Sequence, residues 1–274
     1  MSQFERNYTS LVSATILHGE TKVSRAGPTL STFGTMLTID TLKHGDFPIL
    51  TQRKIYPQGI LGELAGFLRG ATDLQTFKNF GCNYWDANAS DWPRNKGIPE
   101  ARQEVGEIYG YQWRNWAGYL DQLATLVSNL QRDPHSRRHL LTTYNPARLD
   151  EMCLPPCHLL AQFNVSGKQL NCSVTMRSVD LCVGLPSDII LYATLLLILC
   201  NETGYTPGRL VFMMGDTHVY TNHVDQFQEH VKRDIHPLPK FTLNPKAGIN
   251  TFVPEDLSLI KYTNEGVIRY AFNN

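Results

Sequence analysis

Apolar residues recur along this chain at two spacings, and the spacing separates its helices from its strands. Phe4, Tyr8, Leu11, Val12 and Thr15 share one face at helical period, as do Ile60, Leu64, Ala65 and Phe67 between Gly59 and Arg69. A third helical stripe, Leu120, Leu123, Ala124, Val127 and Leu130, runs from Gly118 to Arg132 and is ended by Asp133-Pro134. Strand alternation marks Phe33, Thr35, Leu37 and Ile39. It returns at Leu159, Ala161, Phe163 and Val165 and at Leu170, Cys172, Val174 and Met176, with Ser166-Gly167-Lys168 as the turn between them. Shorter strands are predicted from His139 to Tyr144 and from Arg209 to Met214, and a helix after His223 with Val224, Phe227 and Val231 inward. The continuous apolar run Ile189 to Cys200 predicts a buried helix. Between Gly81 and Gly110 the chain is rich in Asn, Asp, Pro, Gly and Trp, which predicts a long ordered loop of the kind that tends to carry function. Beyond Lys246 the pattern is weak.

Composition narrows the class. A chain of 274 residues is long enough for one large domain or two small ones, and with no linker-like, charge-block or repeated stretch the simpler expectation is one domain over 1–274. An apolar fraction of 42% supplies an ample core, and 25 basic residues balance 25 acidic ones, which argues against bulk binding to nucleic acid or to an anionic membrane. Cys82, Cys153, Cys157, Cys172, Cys182 and Cys200 lack the spacing of a disulfide framework, and the start Met-Ser-Gln-Phe-Glu is unlike a signal peptide, so a reducing cytoplasm is expected. The run Ile189 to Cys200 is shorter than the roughly 20 residues a bilayer crossing needs, so no membrane span is expected.

Several residues carry candidate chemistry, each with a plainer alternative. Cys157 follows two prolines at the mouth of a strand, which holds a sulfur stiffly enough to attack in one direction; the alternative is a buried structural cysteine. Cys157 and His158 are neighbours on a strand and point to opposite faces, which argues against a protease-like dyad, and Cys153, Cys157 and His158 lack the second ligand pair of a structural zinc site. No phosphate-cradling or dinucleotide glycine fingerprint is present. Glu63 sits among apolar helical neighbours, either at the solvent boundary or partly buried with a raised pKa suited to moving protons. Arg25, Arg137 and Arg138 read by themselves as solvated loop and turn residues. His218 and Tyr220, two apart, point the same way if extended.

These residues fall into motifs in one order. Pro155-Pro156-Cys157-His158, Gln162-Phe163, Arg177-Ser178-x-Asp180, Gly184-Leu185-Pro186 and the stretch from Gly215 to His223 resemble the thymidylate synthase family. The resemblance extends to Arg25, to Glu63 in Gly62-Glu63-Leu64, to Tyr109 through Arg114 and to Ser136-Arg137-Arg138, collinear over nearly the whole chain. It implies an α+β fold: a thymidylate synthase-like mixed β-sheet with helices on one face, packed sheet to sheet in a homodimer. It also implies 5,10-methylenetetrahydrofolate as co-substrate, a deoxynucleoside monophosphate as substrate, and no requirement for metal or nucleic acid. In that pattern Cys157 is the nucleophile that adds to carbon 6 of a pyrimidine, and nearby Arg177 favours its thiolate. Glu63 and Tyr109 serve the proton chemistry. Arg25, Arg177 and, from the partner subunit, Arg137 and Arg138 hold the phosphate. Ser178, Gln162, His218 and Tyr220 complete the nucleotide site, while Asp180, Trp85, Tyr84, Arg53, Leu154 and Gly184 line the folate site.

Two departures shape the expected activity. Met176 stands where the family usually has glutamine, and Ser187-Asp188 where it has Phe-Asn; both are similar to the phage deoxycytidylate hydroxymethylases, a branch of the family. At the base-reading position a neutral amide matches uracil, whereas a carboxyl sharing one proton with a bare ring nitrogen matches cytosine. Against uracil the carboxyl leaves a buried polar atom unpaired, at a cost of roughly 1–3 kcal/mol. The alternative is that Asp188 merely caps a helix beginning at Ile189. Ser187 and Asn88, where an aromatic and a tryptophan are usual, reduce cover near the folate and favour water, hence a hydroxymethyl product. The ending Tyr270-Ala271-Phe272-Asn273-Asn274 departs from the usual aliphatic tail. The expectation is therefore a dCMP hydroxymethylase. The rivals are a dCMP methyltransferase, an atypical thymidylate synthase on dUMP, and a catalytically silent dimer that binds nucleotide or RNA.

Overall fold

The computed structural model describes residues 3–271 and 273; Met1, Ser2, Phe272 and Asn274, the last two in the divergent tail, lie outside the described residues. The expected first stripe is helix α1 (Gln3–His18), with Phe4, Tyr8, Val12 and Thr15 buried. Glu5 is buried beside them, a charge that periodicity did not reveal. It accepts hydrogen bonds from the Thr51 and Gln52 amides and the Thr51 hydroxyl at 2.6–2.8 Å. A hairpin follows, β1 (Glu20–Ser24) and β2 (Gly27–Ile39), longer than the strand the alternation marked, with Arg25 in its turn.

The next region is helical where the composition suggested loop. α2 (Pro57–Leu68) carries Glu63, and α3 (Leu74–Asn79), α4 (Asp86–Asp91) and α5 (Tyr109–Arg114) break up the stretch around 81–110. Their packing is what periodicity over such short turns cannot show. Gly62 and Gly110 permit it, because a Cβ on Gly62 would lie 2.2 Å from the Phe80 carbonyl and one on Gly110 2.3 Å from Phe67 Cα. α6 (Gln122–Arg132) begins four residues later than expected. Asp121 caps it by accepting the Ala124 amide, and it buries Leu123, Leu126 and Leu130 while Ala124 stays exposed.

A six-stranded mixed sheet organises the rest, in the order β1-β2-β6-β5-β4-β3. β3 (Leu140–Thr142) is the edge strand, and β4 (His158–Ser166) and β5 (Gln169–Asp180) form the expected hairpin, with Gly167 at φ +60° in its turn. The apolar helix is longer than its run: α7 (Gly184–Thr203) spans 20 residues and is ended by Gly204 at φ +76°. It is long and apolar enough to cross a membrane, yet 78% of its 18-residue window is buried inside the protein, so it reads as a core helix. It crosses from β5 to β6 (Thr206–Tyr220), which are parallel neighbours. α8 (Val224–His230) and a separate pair, β7 (Lys240–Leu243) and β8 (Leu257–Ile260), complete the chain, β8 being structured where the tail beyond Lys246 read as weakly patterned.

Pairing registers place Met36 opposite Met213 on the sheet face away from α7, and Met36, Met213, Leu140 and Phe33 are 63%, 48%, 41% and 83% exposed. Gly110→Ala is expected to lower stability by about 3 kcal/mol, because the added methyl must displace backbone rather than a flexible side chain. Urea unfolding measures this, and a change under about 1 kcal/mol would show that α5 does not press on α2 as described.

Candidate active site

Cys157 ends the bend after Pro155-Pro156, one residue before β4. Its amide donates to the Tyr109 hydroxyl at 2.8 Å, and its carbonyl accepts the Arg177 amide at 2.9 Å. The Arg177 guanidinium donates from Nε to the Pro156 carbonyl at 2.8 Å and from Nη2 to the Pro155 carbonyl at 3.0 Å. One arginine thus anchors the segment that holds the sulfur, and a bulge between His158 and Leu160 bends the strand beside it. Arg177 favours the thiolate, as expected, but burial outweighs it. Burial pushes the Cys157 thiol up, Arg177 and the Tyr109 hydroxyl pull it down by less, and Asp188 adds to the rise. The sulfur of the free chain rests as a thiol.

His158 turns the other way, as strand geometry requires, and is buried. Its Nε2 lies 2.7 Å from Asp188 Oδ1, with the ring packed against Tyr109 and Tyr192 at 4.9 and 5.3 Å. Asp188 is therefore no helix cap: α7 starts at Gly184 and holds Asp188 in its second turn, aimed at the site. Among the described residues its second oxygen has no protein partner. Sequence reasoning dismissed His158 with the dyad; the partner thirty residues away could not be read from neighbours. Glu63 is half-buried, which removes the surface alternative. Desolvation, then the Asp188 charge, push its carboxyl up to about 7, against smaller opposing influences of His158 and the Trp85 indole. That indole Nε1 is buried and acts on Glu63 without forming a well-directed hydrogen bond.

On the nucleotide side the long β6 brings His218 and Tyr220 to one face, rings 5.2 Å apart. His218 Nδ1 donates to Asp216 Oδ1 at 2.9 Å, which leaves Nε2 as an acceptor beside the Tyr220 hydroxyl donor. The Tyr220 hydroxyl, raised by burial, also feels the charges of Asp180, Cys157 and Arg25, so these groups share one site. Ser178 pairs in register with Asp216, beside them. Gln162 is not brought in. It lies exposed between buried Ala161 and Phe163, two residues from Leu160, on the face away from α7. Arg137 and Arg138 are exposed ahead of β3, opposite residues near Asn164 in the extended register. Seven strand residues separate that point from Cys157, roughly 20 Å.

Asp180 ends β5 and opens the group of residues expected at the folate site. Its carboxylate accepts the Cys182 and Val183 amides at 2.9 and 3.2 Å and leads into Gly184. Arg53 is buried, donating to the Cys182 carbonyl at 2.5 Å with Tyr270 over its guanidinium at 4.8 Å. Trp85 is core, Tyr84 is 42% exposed above Gly59, and Leu154 and Asn88 are half-buried. A cleft of about 660 Å³ between α1 and the end of β2, lined by Phe4, Asp40 and Lys240, holds none of these residues.

Glu63 gives a stability signature. Its folded pKa near 7 exceeds the ordinary 4.5, so the folded state binds the extra proton. That contribution is full below about pH 4.5 and lost as pH rises through 7, by about 3 kcal/mol in all. Glu63→Gln should flatten the fall between those limits in urea titrations, and an unchanged slope would mean Glu63 ionises normally.

The thymidylate synthase family profile matches residues 6–273. The chain is 35% identical over 282 aligned positions to thymidylate synthase 1/2 of Encephalitozoon cuniculi (strain GB-M1), covering 97% of this chain and 96% of that one. The chain therefore belongs to the thymidylate synthase family, whose members carry out one-carbon transfer.

Proposed function

We propose that this chain is a dCMP hydroxymethylase, acting as a single catalytic domain in a homodimer. The observation that carries the reading is the 2.7 Å contact between His158 and Asp188, which holds one carboxyl oxygen and leaves the other for a base edge. An acid held there can share a proton with the bare ring nitrogen of cytosine and accept from its amino group; uracil offers an N–H and a carbonyl instead. Cys157, once its proton is lost, adds through sulfur to carbon 6. The ring double bond then opens, and the charge moving toward the ring nitrogen meets the Asp188 proton. Arg25 and Arg177 bind the phosphate together with the partner's arginines, and His218 with Tyr220 binds the sugar hydroxyl. The exposed apolar sheet face and the distance of Arg137 and Arg138 from Cys157 support the sheet-to-sheet dimer.

The folate side fits its co-substrate in two respects: the buried Nε of Arg53 lacks a protein partner, and the Asp180 carboxylate is part-exposed. Asp180, Trp85, Tyr84, Arg53, Leu154 and Gly184 would hold 5,10-methylenetetrahydrofolate. When bound it supplies the one-carbon unit for carbon 5. Glu63, titrating near neutrality, exchanges protons with ordered water, and Ser187 and Asn88 leave that water access. Six free cysteines fit a reducing cytoplasm.

Incubation with dCMP or dUMP plus methylenetetrahydrofolate, read by product mass and dihydrofolate absorbance, tests this. Hydroxymethyl-dCMP without dihydrofolate is expected. A methylated product with dihydrofolate overturns the hydroxymethyl assignment, and binding without turnover would indicate the silent dimer. Asp188→Asn should shift the dCMP-to-dUMP ratio of kcat/KM toward dUMP by roughly ten- to a hundredfold, and an unmoved ratio removes Asp188 from base reading.

A further inference from the structure

Asp180, Cys182 and His223 offer a carboxylate oxygen, a sulfur and a ring nitrogen that all lie within 4.8 Å of one another. Cys182 and His223 are fully buried, while Asp180 faces the site. His223 Nε2 lies 2.7 Å from the Ala271 carbonyl, a contact only an N–H can make, although the Asn273 amide nitrogen is also 3.1 Å away. In the neutral ring Nδ1 then carries the lone pair. That nitrogen is buried with no hydrogen-bond partner, and it faces the Asp180 carboxylate at 3.9 Å. The Nδ1 lone pair and the Asp180 carboxylate are two acceptors facing each other, with only the weak S–H donor of Cys182 nearby, and such a set suits a cation.

We propose that Asp180, Cys182 and His223 form a binding site for a borderline-soft divalent cation of the Zn²⁺ class. Carboxylate, thiolate and imidazole are the donors such ions select, and a histidine ligand characteristically donates its other N–H to a carbonyl, as His223 does to Ala271. Tetrahedral ligation at about 2.0–2.3 Å requires ligand separations of roughly 3.3–3.8 Å, so the cluster must contract by about 1 Å at its widest. On binding, the Cys182 sulfur–hydrogen bond gives way to a sulfur–metal bond and the proton goes to solvent. Arg53 beside the Cys182 carbonyl reduces the attraction but leaves two anionic ligands on the ion. Entry is past the part-exposed Asp180. On the reading above, an ion there takes the carboxylate that folate needs, so this is an inhibitory site rather than a catalytic one.

The test is direct binding without folate, independent of that reading. Full-length Cys157→Ser protein, free of the competing nucleophile, is titrated with Co²⁺ and then Zn²⁺ and followed by thiolate-to-metal absorption. One saturable Co²⁺ site displaced by Zn²⁺ is expected. Adding Cys182→Ser should abolish the absorption, and adding His223→Gln should weaken binding at least about a hundredfold. Far-ultraviolet circular dichroism checks that each variant is folded, and either variant alone decides the matter. Absence of a saturable site, or absorption that survives loss of Cys182 or affinity that survives loss of His223, overturns the assignment in favour of a protonated His223 paired with Asp180.

Discussion

The burial of α7 between two parallel strands is the constraint on which the site depends. β5 and β6 run the same way, so the chain must cross over between them, and α7, apolar on every side, is the crossover. Fourteen of its residues are buried, each aliphatic one stabilising the fold by roughly 1.5–3 kcal/mol before entropy is counted, so its position is not negotiable. Parallel register then sets the ends of both strands side by side, Asp180 opposite His218 and Ser178 opposite Asp216. The helix start delivers Gly184 and Asp188 to that same end. The residues proposed to hold nucleotide and folate at these strand ends are neighbours because one helix had to be buried.

Local pattern exposed much of this. Alternation gave β4 and β5 with their turn, the apolar run gave the heart of α7, and the two-residue spacing of His218 and Tyr220 gave their common face, since each depends only on near neighbours. Pattern failed where the deciding partner is remote. Glu5 is buried because Thr51 and Gln52 satisfy it, His158 because Asp188 does, and neither pairing leaves a trace in its own segment. Gln162 was placed by motif although its strand parity already pointed it outward. The short helices of the 81–110 stretch rest on glycine contacts with α2 and its neighbours rather than on propensity.

Burial also decides the electrostatics, and in a sense the motif did not suggest. A thiol among apolar atoms resists ionisation more than one guanidinium helps it, so Arg177 alone does not activate Cys157. Each further cation brought to the site lowers that cost. Arg137 and Arg138, exposed on this chain, are the residues proposed to supply such cations from a partner. Resting as a thiol also shields the sulfur from oxidation, which acts on the thiolate.

Glu63 and Asp188 complete the argument, because their charges are not independent. The ionised Asp188 raises Glu63, so whatever withdraws charge from Asp188 returns Glu63 toward its ordinary acidity. In the proposed reading, a proton held between Asp188 and a bare ring nitrogen takes up the carboxylate's charge, with His158 on its other oxygen. A base that already carries its own ring proton leaves the charge where it was and opposes two acceptors besides. On the proposed reading, binding of a pyrimidine with an unprotonated ring nitrogen and release of the Glu63 proton are coupled through Asp188.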